Sequence, residues 1–311
     1  MRKLIVIVGP TAVGKTKLSV ELAKRINGEI INGDAMQIYR GMDIGTAKIT
    51  ESEKEGIVHH LFDELNPDET YSVAEYQIAV RKKIEEITSR GKMPILVGGT
   101  GLYVKSVLFD YEFSDIATQN TELYNELSNE EVYTKLTEID PETAKELHPN
   151  NRRRVVRALQ IFKETKEKKS AQIEKQEKKL LYDVLLIGLT DDRERLYERI
   201  NNRVDKMIEN GLINEVKQLR SSGIKREAQS MQAIGYKEIY DYLIKKDEIE
   251  DKQELKAELE RAIELVKRNS RRLAKRQFTW FNNQMDVLWF EVDVNNFGRT
   301  IHEVLQEVEK T

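Results

Sequence analysis

Leu4-Ile5-Val6-Ile7-Val8-Gly9-Pro10-Thr11-Ala12-Val13-Gly14-Lys15-Thr16 is the stretch on which the fold turns. Its first five residues form a short, unbroken apolar run, the pattern of a strand buried on both faces of a parallel sheet. The next eight match G-x-x-x-x-G-K-[ST], a phosphate-binding loop, in the context that motif requires: after a strand and opening a helix. The glycines let backbone N–H groups turn inward around an anion, and the helix N-terminus adds partial positive charge. Gly9, Thr11, Ala12, Val13, Gly14, Lys15 and Thr16 are therefore the candidate diphosphate-binding residues. Lys15 brings a full charge, and the Thr16 hydroxyl is the candidate ligand for Mg²⁺. The motif establishes a polyphosphate or pyrophosphate ligand and leaves hydrolysis open.

Four further apolar runs read as strands: residues 29–32, 94–97, 184–189 and 287–290. Helical periods separate them. Leu18, Leu22 and Ile26 recur at i, i+4, i+8, and Val73, Tyr76, Val80, Ile84 and Ile87 line a second helix face. Alternating strands and helices predict an α/β fold: a P-loop NTPase-like core with a mainly parallel sheet flanked by helices. The pattern breaks between 113 and 180, which reads as a helical insertion domain with a Lys/Glu/Gln-rich tail over 163–179. The catalytic core is then 1–112 together with 181–311, the latter mostly helical from 193 to 281 with interruptions at 221–223 and 234–236.

Ordinary P-loop NTPases end a second strand with an Asp that holds magnesium. Here strand 94–97 ends in Gly98-Gly99-Thr100-Gly101-Leu102-Tyr103, which admits close approach to the backbone and offers no carboxylate. Asp34, after strand 29–32, lies instead at the carboxyl edge of the sheet, where open α/β sheets bind ligands. Metal ligand, helix cap and general base are its three readings.

Composition sets the outer limits. There is no cysteine, which excludes disulfides, thiolate zinc sites and cysteine nucleophiles. No apolar run approaches the ~20 residues that span a bilayer, and no signal peptide is evident, so a soluble, cytoplasmic chain without membrane contact is expected. The net charge of −3 conceals strong segregation. Residues 112–146 hold ten acids and two lysines, 152–169 eight bases and two acids, and 261–276 seven bases and one acid. Basic blocks on a mildly acidic chain point to a polyanion held against one face, with solvated helix faces as the competing explanation. His59-His60 does not make a metal site, because neighbours on a regular element point apart.

These blocks together resemble the tRNA dimethylallyltransferases (isopentenyl-tRNA transferases). The resemblance is carried by Gly9–Thr16, by residues 34–48 from Asp34-Ala35-Met36-Gln37 to Lys48, by His59-His60-Leu61 and by Gly98–Tyr103. Later blocks agree: Arg152-Arg153-Arg154-Val155-Val156-Arg157-Ala158-Leu159, Ala233–Glu238, and Arg272–Trp280. Gly33 and Ala35 replace the serines usual around the acid, while Asp34 is retained. The absence of cysteine excludes the zinc finger of eukaryotic members, so the likeness is to the bacterial form.

The resemblance implies transfer of a dimethylallyl group from dimethylallyl diphosphate to N6 of the adenine 3′-adjacent to the anticodon, in the anticodon stem-loop of tRNA; a monomer is expected. It implies a catalytic set of Asp34, Thr11 and Arg203, with Thr11 hydrogen-bonding the diphosphate. Arg195, Arg199 and Arg203 share a helix face at i, i+4, i+8; Arg203 aligns best with the family's diphosphate arginine, and Arg199 is the runner-up. Asp34, Ala35, Met36, Gln37, Thr100, Arg153, Arg154 and Arg157 match tRNA-contacting positions. Arginine suits that role because its planar fork pairs with phosphates and stacks on bases. The chemistry agrees with the residues: diphosphate is a leaving group that a P-loop holds without ATP, and Asp34 can take the N6 proton. Two other classes compete: an adenylate isopentenyltransferase acting on a free nucleotide, and a P-loop small-molecule kinase. The basic blocks argue against the first, and the glycine-rich strand end against the second.

Overall fold

The computed structural model describes residues 2–110, 113, 123–171 and 179–310. Six parallel strands form one sheet: β1 (Lys3–Val8), β2 (Gly28–Asn32), β3 (His59–His60), β4 (Met93–Val97), β5 (Asp183–Thr190) and β6 (Leu288–Glu291). Their spatial order is β3-β2-β4-β1-β5-β6. β1 is central, pairing Ile5–Ile7 with Ile95–Val97 on one side and Lys3–Val8 with Asp183–Gly188 on the other. Leu4 to Val8 are at most 4% exposed, which explains an apolar run without alternation.

Helices cover the sheet. The first, α1 (Lys15–Arg25), buries Leu18, Val20 and Leu22 against it. The short α2 (Glu51–Lys54) and the longer α3 (Val73–Ser89) each begin with a capping box, Thr50 with Glu53 and Ser72 with Glu75. α4 (Gly101–Leu108) follows the glycine-rich end of β4. The interrupted helical region expected over 193–281 is four helices, α8 (Arg193–Glu209), α9 (Leu212–Ser221), α10 (Tyr236–Lys246) and α11 (Lys252–Gln284), numbered after three helices of the insertion. Both expected interruptions, 221–223 and 234–236, bound one break, between α9 and α10, which holds a short 3-10 turn at Ser230–Gln232. Another is made by Gly211, whose φ of +100° only glycine adopts readily. A last helix, α12 (Phe297–Glu309), packs Ile301, Val304 and Leu305 into the core around α1.

By its contacts the chain divides into two compact units, Met1–Leu108 with Tyr182–Thr311, and Phe109–Leu181. The second unit contains α5 (Asn129–Ile139), α6 (Pro141–Glu146) and α7 (Arg152–Thr165). Val132, Leu136, Ala144, Val155, Val156 and Leu159 form its own apolar core. Asp140 ties it together: its carboxylate caps α6 through the Thr143 N–H (3.2 Å) and also accepts from the Ser170 N–H and hydroxyl (3.0 and 2.7 Å). Residues 114–122 of the expected insertion and 172–178 of its Lys/Glu/Gln tail lie outside the described residues, as does Glu112 of the acidic stretch.

The two-residue β3 has no signal in the sequence. Its His60 explains its place: Nε2 meets the Glu29 carboxylate of β2 at 2.6 Å. Glu29 is 3% exposed and also pairs with Lys92 (2.8 Å) and Arg90 (2.6 Å). Burial pushes its carboxyl upward, but hydrogen bonds from Lys92, His60 and Arg90 overcome that and hold it down at about 2. His59 turns the other way, its Nδ1 2.8 Å from the Ile57 carbonyl.

Candidate active site

At the carboxyl ends of β1, β2 and β4 a cleft of about 740 Å³ opens over the phosphate loop. Thr11, Ala12, Val13, Gly14, Lys15 and Thr16 line it, with Asp34, Gln37, Val97, Gly98, Gly99, Arg199 and Arg203. Gly9 (φ +136°), Ala12 (φ +64°) and Gly14 (φ +110°) give the loop its inward turn. Thr16 stands in the first turn of α1 with its side chain exposed to the cleft.

Lys15 curls over the loop, donating to the carbonyls of Gly9 (2.9 Å) and Pro10 (2.8 Å). Burial and the neighbouring Arg203 guanidinium lower its pKa to about 8, against an upward pull from Asp34. Arg203 is the nearest of the three arginines to the loop's side chains: its Nη1 donates to the Thr11 hydroxyl at 3.4 Å. Burial pulls its guanidinium below the ordinary value, while Asp34 and Glu53 raise it. Arg199 also lines the cleft, but its Nη1 pairs with Asp191 at 3.2 Å, and Arg195 is bound to Asp191 and Glu291. The stripe of three is thus split: two arginines serve an ion pair at the end of β5, and one reaches the loop.

Asp34 directly follows Gly33 at the end of β2. Its Oδ1 accepts the Met36 N–H at 2.9 Å, and its own N–H donates to Asn32 Oδ1 at 2.8 Å. Asn32 in turn donates to the carbonyls of Asp34 and Leu61. The turn through Ala35, Met36 and Gln37 is therefore fixed from below, and Asp34 does cap it while also lining the cleft. Gln37 reaches back to the carbonyl of Thr46 at 3.0 Å. Gly33 and Gly98 make this close approach of β2 and β4 possible: a Cβ on Gly98 would lie 2.2 Å from the Gly33 carbonyl oxygen. Thr100 stands beyond the cleft-lining Gly98 and Gly99, its carbonyl accepting from Val104 as α4 begins.

A smaller, largely apolar recess of about 130 Å³ shares Thr11, Asp34, Thr46 and Arg203 with the main cleft. Its remaining walls include Met36, Ile200, Val204, Met207, Ile234, Val266 and Leu273. Asp34 and Arg203 therefore belong to both spaces.

Sequence reasoning missed several contributors. Gln277 of α11 accepts the Thr11 N–H through Oε1 at 2.9 Å, and its amide fills the space that a Cβ on Gly99 would need. Thr46, Glu53, Asn202 and Lys206 also line the cleft. Thr46 and Gln277 lay in blocks already noticed, but the role of Gln277 needed the fold, because Thr11 is 266 residues away.

Arg153, Arg154 and Arg157 lie on α7 of the second unit. Arg153 and Arg154 are exposed, while Arg157 is half-buried and donates to Gln160 at 3.3 Å. The helix is anchored by Val155, Val156 and Leu159, and Arg152 holds Asn129 and the Tyr124 carbonyl. No helix among the described residues is long and apolar enough to cross a membrane.

Comparison with known proteins bears on this site. The sequence model of the IPP transferase family matches residues 37–284. A tRNA dimethylallyltransferase of Bacillus cereus is 58% identical over 99% of this chain and 94% of its own length. One from Bacillus anthracis is 57% identical, with 99% and 95% covered. Among solved structures, a tRNA isopentenylpyrophosphate transferase of Staphylococcus epidermidis superposes with a TM-score of 0.73 at 45% identity, covering 100% of this chain and 99% of that one. A eukaryotic dimethylallyltransferase acting on tRNA superposes with a TM-score of 0.81 at 32% identity, covering 98% and 78%. With a family match across most of its length and relatives this similar end to end, the chain belongs to the IPP transferase family, among the tRNA dimethylallyltransferases.

Proposed function

We propose that the protein transfers a dimethylallyl group from dimethylallyl diphosphate to N6 of the adenine 3′-adjacent to the anticodon in tRNA, releasing diphosphate. The observation that carries this reading is the convergence of Lys15, Thr11 and Arg203 on one phosphate loop with Asp34 in the same cleft and an apolar recess beside them.

The bond between the allylic carbon and the diphosphate oxygen breaks, and one from that carbon to adenine N6 forms. Charge developing on the diphosphate is met by the loop N–H groups, Lys15 and Arg203, held in a fixed array before reaction. The N6 proton passes to the Asp34 carboxylate as the new bond forms, since the exocyclic amine is otherwise a poor nucleophile. The adenine must leave its stack to reach the cleft.

The donor set fits Mg²⁺: Thr16 supplies a hard oxygen at the loop, and magnesium binds with few protein ligands plus substrate phosphates and water. Among the described residues no group of three His, Asp or Glu could hold a metal without such phosphates. There the ion would neutralise diphosphate charge. Arg153, Arg154 and Arg157 are assigned to phosphates of the anticodon stem-loop, and Asp34, Ala35, Met36, Gln37 and Thr100 to the flipped nucleotide and its neighbours.

Incubation with dimethylallyl diphosphate, Mg²⁺ and unmodified tRNA, followed by nucleoside mass spectrometry, tests the proposal. A dimethylallyl mass increment on the adenosine 3′ of the anticodon is expected. Modification of free adenylate with tRNA untouched, or tRNA-independent ATP turnover near ~1 s⁻¹, would refute it.

A further inference from the structure

Residues 43–46 carry their backbone N–H groups along one side of the cleft-forming loop, and three of these converge on a single side chain. Glu215, in the first turn of α9, accepts from Asp43 (3.0 Å) and Ile44 (2.8 Å) through Oε2 and from Gly45 (3.2 Å) through Oε1. The buried phenol of Tyr236, at the start of α10, donates to the same Oε1. Glu215 also lies where a helix N-terminus favours negative charge.

The ring of Tyr236 completes the joint. A Cβ on Gly45 would lie 2.4 Å from Tyr236 Cε2 and 2.9 Å from Leu212 Cδ1, so the loop backbone rests directly on α9 and α10. Burial, with the Glu215 carboxylate beside it, pushes the Tyr236 phenol far above its ordinary range, so it stays a donor. Without the carboxylate, three consecutive N–H groups would lose their only shared acceptor, an outcome that folded chains avoid.

What the joint holds is the site. Thr46 lines both the main cleft and the apolar recess, and its hydroxyl donates to the Met42 carbonyl at 2.6 Å. The Thr46 carbonyl accepts from Gln37, three residues after Asp34. The path from Glu215 to the proposed acceptor residues is thus a short series of hydrogen bonds, and none of it passes through the phosphate loop.

We propose that Glu215 is a positioning residue for the acceptor half of the reaction: its carboxylate, with Tyr236, clamps residues 43–46 and so sets Thr46, Gln37 and the turn after Asp34. This rests on the acceptor assignment given above. Charge-assisted bonds to backbone N–H groups are strong and directional, which suits a clamp. Misplacement of reacting groups by about 1 Å costs about a hundredfold in rate, so loosening the clamp is visible in turnover.

The test compares wild type, Glu215→Ala, Glu215→Gln and Tyr236→Phe by steady-state kinetics with tRNA and dimethylallyl diphosphate, and by amide hydrogen exchange. For Glu215→Ala we expect kcat/KM for tRNA to fall about tenfold to a hundredfold, with KM for the donor within about twofold, because the loop N–H groups bind it independently. Exchange should accelerate at residues 43–45 and stay unchanged in β1 and β4. Added formate should restore part of the activity by occupying the vacated acceptor position. Glu215→Gln should recover more than Ala, since one oxygen still takes two of the three N–H bonds, and Tyr236→Phe should lose less than Ala. Unchanged kcat/KM for tRNA, unchanged exchange at 43–45, or loss of protection across the sheet would each overturn the positioning role. Inactivity of the wild type on tRNA would instead defeat the proposed function, and the exchange data would still decide whether Glu215 clamps the loop.

Discussion

Binding of the donor should change from nearly proton-neutral to proton-consuming as pH rises from 7 to 9, and Lys15 is the reason. Its pKa in the free protein is pulled down to about 8 by burial and by Arg203. A diphosphate on the loop places several negative charges against it and returns it to the protonated form. The fraction of Lys15 needing a proton is about 0.1 at pH 7 and about 0.9 at pH 9. The ligand's own terminal ionisation, near pH ~6, is complete by then and does not contribute. Affinity should therefore weaken by about 1.4 kcal/mol, tenfold, per pH unit above 8. The assay is calorimetric titration of dimethylallyl diphosphate without tRNA, in two buffers of different ionisation enthalpy, whose difference counts protons. Lys15→Met is the control and should bind weakly with no uptake. Uptake below about 0.3 proton at pH 9, or uptake that survives in Lys15→Met, would refute the reasoning. Stability carries the same signature. The lysine pKa is lowered on folding from 10.5, so between about 8 and 10.5 the unfolded chain binds the extra proton and stability rises with pH. The ceiling on that rise is about 3 kcal/mol.

Asp34→Ala should keep donor binding and lower turnover by about two to four orders of magnitude; a fall under tenfold in single-turnover kinetics would remove the general-base role. Replacing Arg153 and Arg157 together by Ala should raise KM for tRNA and reduce the log–log salt slope by about one to two units, with no change in donor affinity. A lowered melting temperature with an unchanged slope would make them structural. Glu29→Gln should destabilise the fold at neutral pH and flatten its acid response: the depressed carboxyl stabilises above about 4.5, and that contribution is lost as pH falls toward 2. Denaturant melts between pH 2 and 6 would measure it.

The sheet and the phosphate loop were legible because each leaves a local mark. Unbroken apolar runs report strands buried on both faces, and the loop's glycines report its positive φ angles. Periodicity alone showed Arg203 as one of three, since it places residues on a face and does not say what that face meets; only the resemblance singled it out. The fold separated them by giving Arg195 and Arg199 the Asp191 carboxylate. β3 was invisible because two residues make no pattern, and what holds His60 there is a buried acid on a neighbouring strand. The break at Gly211 was marked by a glycine within an otherwise regular apolar stripe, Val204 to Leu212 to Val216. Gln277 and Glu215 act across 266 and about 170 residues of chain, and no local signal connects either to its target.

The central strand also sets a schedule for the growing chain. β1 is made first, but the partner for its second edge, β5, begins at Asp183, after the entire second unit. At about 5–20 residues per second, the ribosome leaves that edge waiting for roughly 10 to 35 s. During that interval Leu4 to Val8, all apolar, present open hydrogen-bonding groups of the kind that recruit stray strands. The nascent chain is therefore most prone to aggregation before β5 is made, and conditions that slow elongation between residues 110 and 190 should lower the yield of folded protein more than the same delay placed after β5.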